Sequence, residues 1–520
     1  MTEIVQKEAK ESVAVIDIGS SAIRMLIAEI DAKGGIRQLE NLQKPIGFGR
    51  EVFATGQITT KTMRQAIEIL KNYRKLMNDY GVKKYQAVTT SAVRDAANRD
   101  SFIDQAFVRA GLDVEVLEAP EESRLELIAV ETALADKLSL DAKRCLIIEA
   151  SSGSTEMLVL NQGNVEINRN FAIGSMRLPD DTVLGTVDAS ALARLIKRAV
   201  HQICVGEDRE CHFQSLGTFI GLGGDMRIAA HQMEADLSNK TYAVLDKKAF
   251  TAHLKNISKK SAEEIAKESG IPLSEAESYQ AALFLYNSFL SETGAEEIIV
   301  PMMSIREAIL QEMAQMFSGY KRTDLSKQVL NSARHLGEKF GYDKVAAAHV
   351  AGLAIKLFDS LTKDHGLGTR GRMLLEVAAL LHSIGMYVSL SGYHKHSSYL
   401  IQATDIFGLR KSDKNIVANI VRYHRKTIPR PTHVDYMSLT RNDRAAVSKL
   451  AAILRVACAL NESSQQLIKN FEFEPSEDAY TIWVSSDLGD LTLEVDAVRR
   501  RGDLFLEVFG APIALKQKKL

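Results

Sequence analysis

The 520-residue chain is poor in the residues that staple or stiffen a fold, with four cysteines, nine prolines and one tryptophan. None of the cysteines stands in Cys-x-x-Cys spacing, so the expectation is a reduced compartment and no disulfide framework. Cys204 and Cys211 lie between His201 and His212, but that spacing matches no usual zinc site. Net charge is equally scarce: 65 Lys and Arg against 66 Asp and Glu leave −1. No whole-molecule field therefore draws nucleic acid or an anionic membrane, and a polyanion would need a local basic patch. Long hydrophobic runs are missing too. No segment approaches the length of a membrane span, and the opening MTEIVQKEAK carries no hydrophobic signal core. The expectation is a cytoplasmic protein with neither nucleic acid nor membrane as partner.

What is present is an ordinary globular composition, 46% apolar and 25% charged, in a chain long enough for three or four domains. Within it two stretches share one grammar. VAVIDIGSSAIRMLIAEI (Val13–Ile30) reads as strand, turn of small residues and strand, with an acid closing the first strand. CLIIEASSGSTEMLVL (Cys145–Leu160) repeats it, with Glu149 at the place of Asp17. Two such hairpins predict a duplicated α/β domain. A turn of small residues lets backbone N–H groups approach phosphate oxygens, and a carboxylate at the strand end can hold a hard cation or its water. One hairpin alone reads equally well as an ordinary turn; two in register favour a pair of phosphate loops. A third stretch, TFIGLGGDMRIAA (Thr218–Ala230), runs from strand through Gly-Gly into a helix start, which suits an anion.

These stretches, with TTSAVRDAAN, PEESRLELI, GYHKHSSYLI and VRYHRK, resemble the exopolyphosphatase / guanosine pentaphosphate phosphohydrolase family of the actin–hexokinase–Hsp70 superfamily. The resemblance runs along nearly the whole chain in the same order. It implies an α/β fold of duplicated actin-like (ribonuclease H-like) lobes, followed by a helical HD-like domain and a small β-rich end. The expected boundaries are 1–135, 136–300, 301–470 and 471–520. It also implies a homodimer that releases terminal phosphate from inorganic polyphosphate or guanosine pentaphosphate, with Mg²⁺. By that resemblance Glu122 is the base for the attacking water and Arg94 clamps phosphate, while Glu149 and Glu156 are metal-associated. Asp17, Gly19, Ser20, Ser21, Arg24, Ser152, Gly153, Ser154 and Thr155 make up the phosphate loops. The residue types suit the chemistry: carboxylate for water, guanidinium for phosphate oxygens, hard oxygens for magnesium. On the residues alone, Glu122 reads first as a solvated acid at a helix end.

Both loops depart from the family pattern. Ser21 and Ala22 replace Asn and Ser in the first; Glu149, Ser151 and Ser152 replace Asp, Gly and Gly in the second. A serine forced to positive φ costs of order 1 kcal/mol. One extra methylene at Glu149 shifts its carboxylate by over an ångström, a displacement worth roughly 100-fold in rate if it positions water or metal. The expectation is a loop that still binds phosphate but has eroded catalytically. The alternative function is a catalytically weak regulator that binds polyphosphate or a guanosine tetra- or pentaphosphate.

After Pro301 the pattern turns helical. His349 and His382 stand at HD positions, but Ser383 follows His382 and Cys458 occupies the distant aspartate's place, so no working metallohydrolase is expected there. His382 shares a helical face with Leu374, Leu375 and Ala378 and reads as a core histidine. Lys395, Arg422, Arg425 and Lys426 form a cationic cluster, either a solvated face or a path for polyphosphate. The alternation in TIWVSSDLGDLTLEVDAV and DLFLEVF predicts strands.

Overall fold

A computed structural model describes residues 10–135, 144–177, 188–236, 241–318, 326–476 and 478–518. Most side chains of β1 (Glu11–Ile18) and β2 (Ala22–Ile30) are buried, and none is exposed, as in strands covered on both faces. They pair antiparallel, setting Asp17 opposite Arg24. Strand β6 (Arg144–Ala150) pairs likewise with β7 (Thr155–Asn161), setting Glu149 opposite Glu156. Each hairpin adds a third antiparallel strand, β3 (Ile36–Pro45) or β8 (Asn164–Phe171). Each first strand also has a parallel neighbour, β4 (Lys84–Thr89) or β9 (Thr218–Leu222). With β5 (Val114–Val116), β10 (Tyr242–Asp246) and β11 (Glu297–Pro301), the sheets run β3-β2-β1-β4-β5 and β10-β11-β9-β6-β7-β8. The order β8-β7-β6-β9-β11 repeats that of the first sheet, so the duplication read in the hairpins extends to whole actin-like lobes.

The chain divides into two compact units, Met1–Asp324 and Leu325–Leu520. The helical run expected to open a new domain at 301 begins in the first of them. Its helix Ile305–Phe317 packs on the Ala119–Leu134 helix and on β1. Arg124 makes the bond between them, donating to Glu312 at 2.5 and 2.8 Å and to Glu121 at 3.0 and 2.8 Å. A boundary expected at 135/136 borders residues outside those described.

In the second unit, helices including Lys344–Ser360, Thr369–Leu381, Lys411–Tyr423 and Arg441–Ala459 enclose one apolar core. A three-stranded sheet, β12 (Glu472–Pro475), β13 (Tyr480–Ser485) and β14 (Ile513–Lys518), joins that core through Ile482, Val484 and Leu515. TLEVDAV and DLFLEVF, expected as strands, are helices Thr492–Arg501 and Asp503–Phe509. Burial at Leu491, Glu494, Ala497 and Val498 follows the helical period, while the alternating Leu493 and Val495 are both exposed. Among the described residues no helix is long and apolar enough to cross a membrane.

Candidate active site

Between the two hairpin turns of the first unit lies a cleft of about 630 Å³. Gly19, Ser20 and Ser21 line it from one turn, Ser151 and Ser152 from the other, and Gly223–Gly224 from the start of the Gly224–Gln232 helix. Asp17, Glu122, Glu126 and Glu149 face it, as do Arg24, Arg227 and Arg306.

The first turn is tied back by its carbonyls, Ser20 accepting from Gly49 N–H and Ser21 from Ile46 N–H, both at 2.9 Å. At Gly19 a Cβ would come 3.3 Å from Ala22 O and 3.4 Å from Arg24 Nη1, so the arginine rests on the turn itself. The second turn is closed by a serine. Ser151 Oγ donates to Ser154 O at 3.1 Å and accepts from Ser154 N–H at 3.3 Å. The carbonyls of Ser151 and Ser152 receive the N–H groups of Ser175 and Met176 at 2.9 and 2.8 Å. Neither serine has positive φ, so the strain expected of them is absent. The left-handed position belongs instead to Gly223, φ +102, where a Cβ would meet the Tyr286 hydroxyl at 2.9 Å.

Not every expected loop residue reaches the cleft. Gly153 packs on the Phe53 ring, and Ser154 is buried beneath the turn. Thr155 Oγ1 donates to Ile173 O at 2.7 Å. Ser152 lines the cleft; these three do not.

Beneath the turns is a layer of buried acids. Carboxylate oxygens of Glu122, Glu126 and Glu156 lie within 4.8 Å of one another. Glu156 accepts from Ser123 Oγ at 2.5 Å and from Asn170 Nδ2 at 2.9 Å. The carboxyl groups of Glu126 and Glu149 adjoin, so each bears on the ionisation of the other. Burial pushes Asp17, Glu122, Glu149 and, most strongly, Glu126 and Glu156 above the ordinary carboxylate value. Burial also lifts Asp225, on the cleft wall, to about 7, with Glu275 adding to it. Such a set of hard, desolvated oxygens fits a divalent cation of the magnesium type.

Arg94 does not line the cleft. Its Nη1 donates to Glu122 Oε2 at 2.9 Å and to Leu117 O at 2.8 Å, so it holds the glutamate from behind. The guanidinium groups that face the cleft are Arg24, Arg227 and Arg306. Arg227 donates to Met303 O at 3.2 Å, and Arg306 Nη1 to Asn41 Oδ1 at 3.0 Å while its Nε has no partner. Sequence reasoning missed Glu126, Arg227 and Arg306. The spacing of Glu126, four residues beyond Glu122 in one helix, was a usable signal. Arg227 stands inside a stretch already read as an anion site, whereas nothing local marks Arg306.

In the second unit His382 Nδ1 donates to Ala379 O at 2.7 Å, and its ring packs edge-on to His424 with ring centroids 5.3 Å apart. Lys395 and Lys426 are exposed, Arg422 is half-buried, and Arg425 lies over the Tyr393 ring at 4.8 Å. None of the four is ion-paired among the described residues.

Comparison with known proteins agrees with this architecture. The model for the Ppx/GppA phosphatase family matches residues 26–317, and that for Ppx/GppA phosphatase domain III matches residues 330–494. A guanosine-5'-triphosphate,3'-diphosphate pyrophosphatase of Photobacterium profundum is 21% identical, over 97% of this chain and 98% of its own. One from Pseudoalteromonas translucida is also 21% identical, over 92% and 93%. The crystal structure of an exopolyphosphatase from Cytophaga hutchinsonii has the same fold, with a TM-score of 0.53 and 23% identity over 60% of this chain and 99% of that one. With more than half its length matched by one family model, the chain belongs to the Ppx/GppA phosphatase family.

Proposed function

We propose that the cleft removes the terminal phosphate from inorganic polyphosphate or guanosine pentaphosphate, with Glu122 as the base that takes a proton from the attacking water. The observation that carries this reading is the position of Glu122, a buried carboxylate facing the cleft between two small-residue turns and held from behind by Arg94. A base must be fixed in place and shielded from solvent to act on one water, and the Arg94 bond does the fixing. Arg24, Arg227 and Arg306 supply the charge that binds phosphate oxygens, and the turns at Gly19–Ser21 and Ser151–Ser152 supply close backbone approach.

Glu126 and Glu156, with Glu149 beside them, would hold Mg²⁺. When bound, the cation neutralises the acids and draws charge from the phosphate oxygens. In the second unit, Lys395, Arg422, Arg425 and Lys426 offer cationic charge that suits the length of a polyphosphate chain. We read the protein as a cytoplasmic homodimer of this family. The deciding experiment is phosphate release from long-chain polyphosphate and from guanosine pentaphosphate, each with and without Mg²⁺. Release from one or both that collapses with chelator supports the hydrolase. Tight binding of either without release would instead support the regulator.

A further inference from the structure

Arg24 rests on the first turn, yet its guanidinium is already engaged. Nη2 donates to Glu275 Oε1 at 2.9 Å and Nε to Gln43 Oε1 at 3.2 Å. The same Glu275 oxygen accepts from Gln43 Nε2 at 2.5 Å. Glu275 comes from the opposite lobe, in the first turn of the Leu273–Glu292 helix, and it lines the cleft. Its side chain is 14% exposed and that of Arg24 is 23% exposed, so the pair is largely removed from water. A carboxylate oxygen received by an arginine and an amide is chemically what a phosphoryl oxygen would be at that place. Two residues further on, Glu277 pairs with Arg50 at 3.0 Å, and neither of these residues lines the cleft.

We infer that Glu275 is a built-in competitor of the substrate: its carboxylate occupies the seat of a substrate phosphoryl oxygen on Arg24, and a polyanion must displace it to bind. This rests on the reading of the cleft as a phosphate site. The cost of displacement is the same for every ligand that takes the seat, so only a ligand with further phosphates to place keeps useful affinity. One phosphate takes the seat on Arg24 while its neighbours engage the second turn and the remaining arginines. A ligand with one phosphate has nothing further to offset the ion pair it breaks.

The test is a binding measurement, so it does not depend on turnover. Tripolyphosphate and orthophosphate are titrated calorimetrically into the full-length parent, Glu275→Gln and Glu277→Gln. Glu275→Gln should tighten tripolyphosphate and orthophosphate alike, each about three- to tenfold, the scale of freeing one partly buried arginine. Glu277→Gln removes the same charge from the same helical turn and an interlobe bond besides, and should change affinity less than twofold. In an Arg24→Ala background the gain from Glu275→Gln should vanish, because the two residues act on each other directly. Unchanged affinity in Glu275→Gln, an equal gain in Glu277→Gln, or a gain that survives Arg24→Ala would each overturn the inference. Failure of the hydrolase reading looks different: tripolyphosphate binds and responds as stated, while no phosphate is released from any substrate.

Discussion

Arg94 Nη1 stands 2.9 Å from Glu122 Oε2 and gives the same nitrogen to the Leu117 carbonyl at 2.8 Å. The arginine matched to a phosphate clamp therefore orients the glutamate matched to the base. Glu122→Gln should lower turnover by roughly 10²–10⁴-fold with little change in affinity for polyphosphate. Steady-state kinetics with a parallel binding titration check this. If turnover holds, the base lies elsewhere, and Glu126 becomes the next candidate. Glu121, its neighbour in sequence, is locked in the ion pairs of Arg124.

A second prediction concerns Tyr286. Its hydroxyl accepts from Ala150 N–H at 2.9 Å and donates to Leu222 O, clamping the ends of β6 and β9. Tyr286→Phe orphans two buried backbone groups, each worth about 1–3 kcal/mol when left unpaired. Glu149 and Gly223 flank those groups, so turnover should fall about tenfold or more as the first unit loses stability. Chemical denaturation and turnover on the same preparation test it, and full activity with unchanged stability would refute the clamp.

The second loop is held together by its own residues. Replacing Glu149-Ala150-Ser151-Ser152 by Asp-Ile-Gly-Gly follows the family pattern, and an eroded loop should then gain activity. Ser151 Oγ, however, closes the turn onto Ser154, and the Glu149 carboxyl adjoins that of Glu126. The exchange deletes both and leaves Glu126 buried opposite a shorter acid. Turnover should stay within about twofold of the parent or fall, with weaker phosphate binding. A tenfold rise would return the loop to erosion.

Joint neutralisation of Arg422, Arg425 and Lys426 should weaken long-chain polyphosphate more than a short oligomer. The log–log dependence of binding on salt should flatten by about 0.7–0.9 for each phosphate interaction removed, on the nucleic-acid scale. Equal slopes in variant and parent would mark a solvated face.

The second unit should be acid-sensitive. Burial pushes His382 and His424 below the ordinary histidine value and His394 to about 4, Arg422 and Arg425 adding to the last. A histidine depressed in the folded state binds more protons when unfolded. Its contribution is therefore intact above about pH 6.5 and is lost as pH falls towards the folded value. The melting temperature should drop by several degrees across that window. His394→Leu removes a ring nitrogen with no partner and should shrink the drop. An identical drop would assign the acid sensitivity to other groups.

Much of this was decided by local pattern. The apolar runs around Asp17 and Glu149 determined two hairpins, because a strand with both faces buried needs little beyond hydrophobic continuity and a turn of small residues. Their matching offsets determined the duplication, and with it that the two acids would stand at equivalent strand ends. The role of Arg94 was not legible, since a guanidinium beside a cleft can face substrate or brace a carboxylate, and only the position of the Ala119–Leu134 helix chooses. Arg306 enters the cleft because the Ile305–Phe317 helix packs back on β1 of the first lobe, held there by Glu312 on Arg124, 188 residues earlier. The two C-terminal segments expected as strands carry apolar residues at both spacings, and packing against the helical core selected the helical one. The pairing of Arg24 with Glu275 joins side chains 251 residues apart. Sequence places charge along the chain; which opposite charge meets it across a cleft is set by how the lobes close, and only the folded structure holds that information.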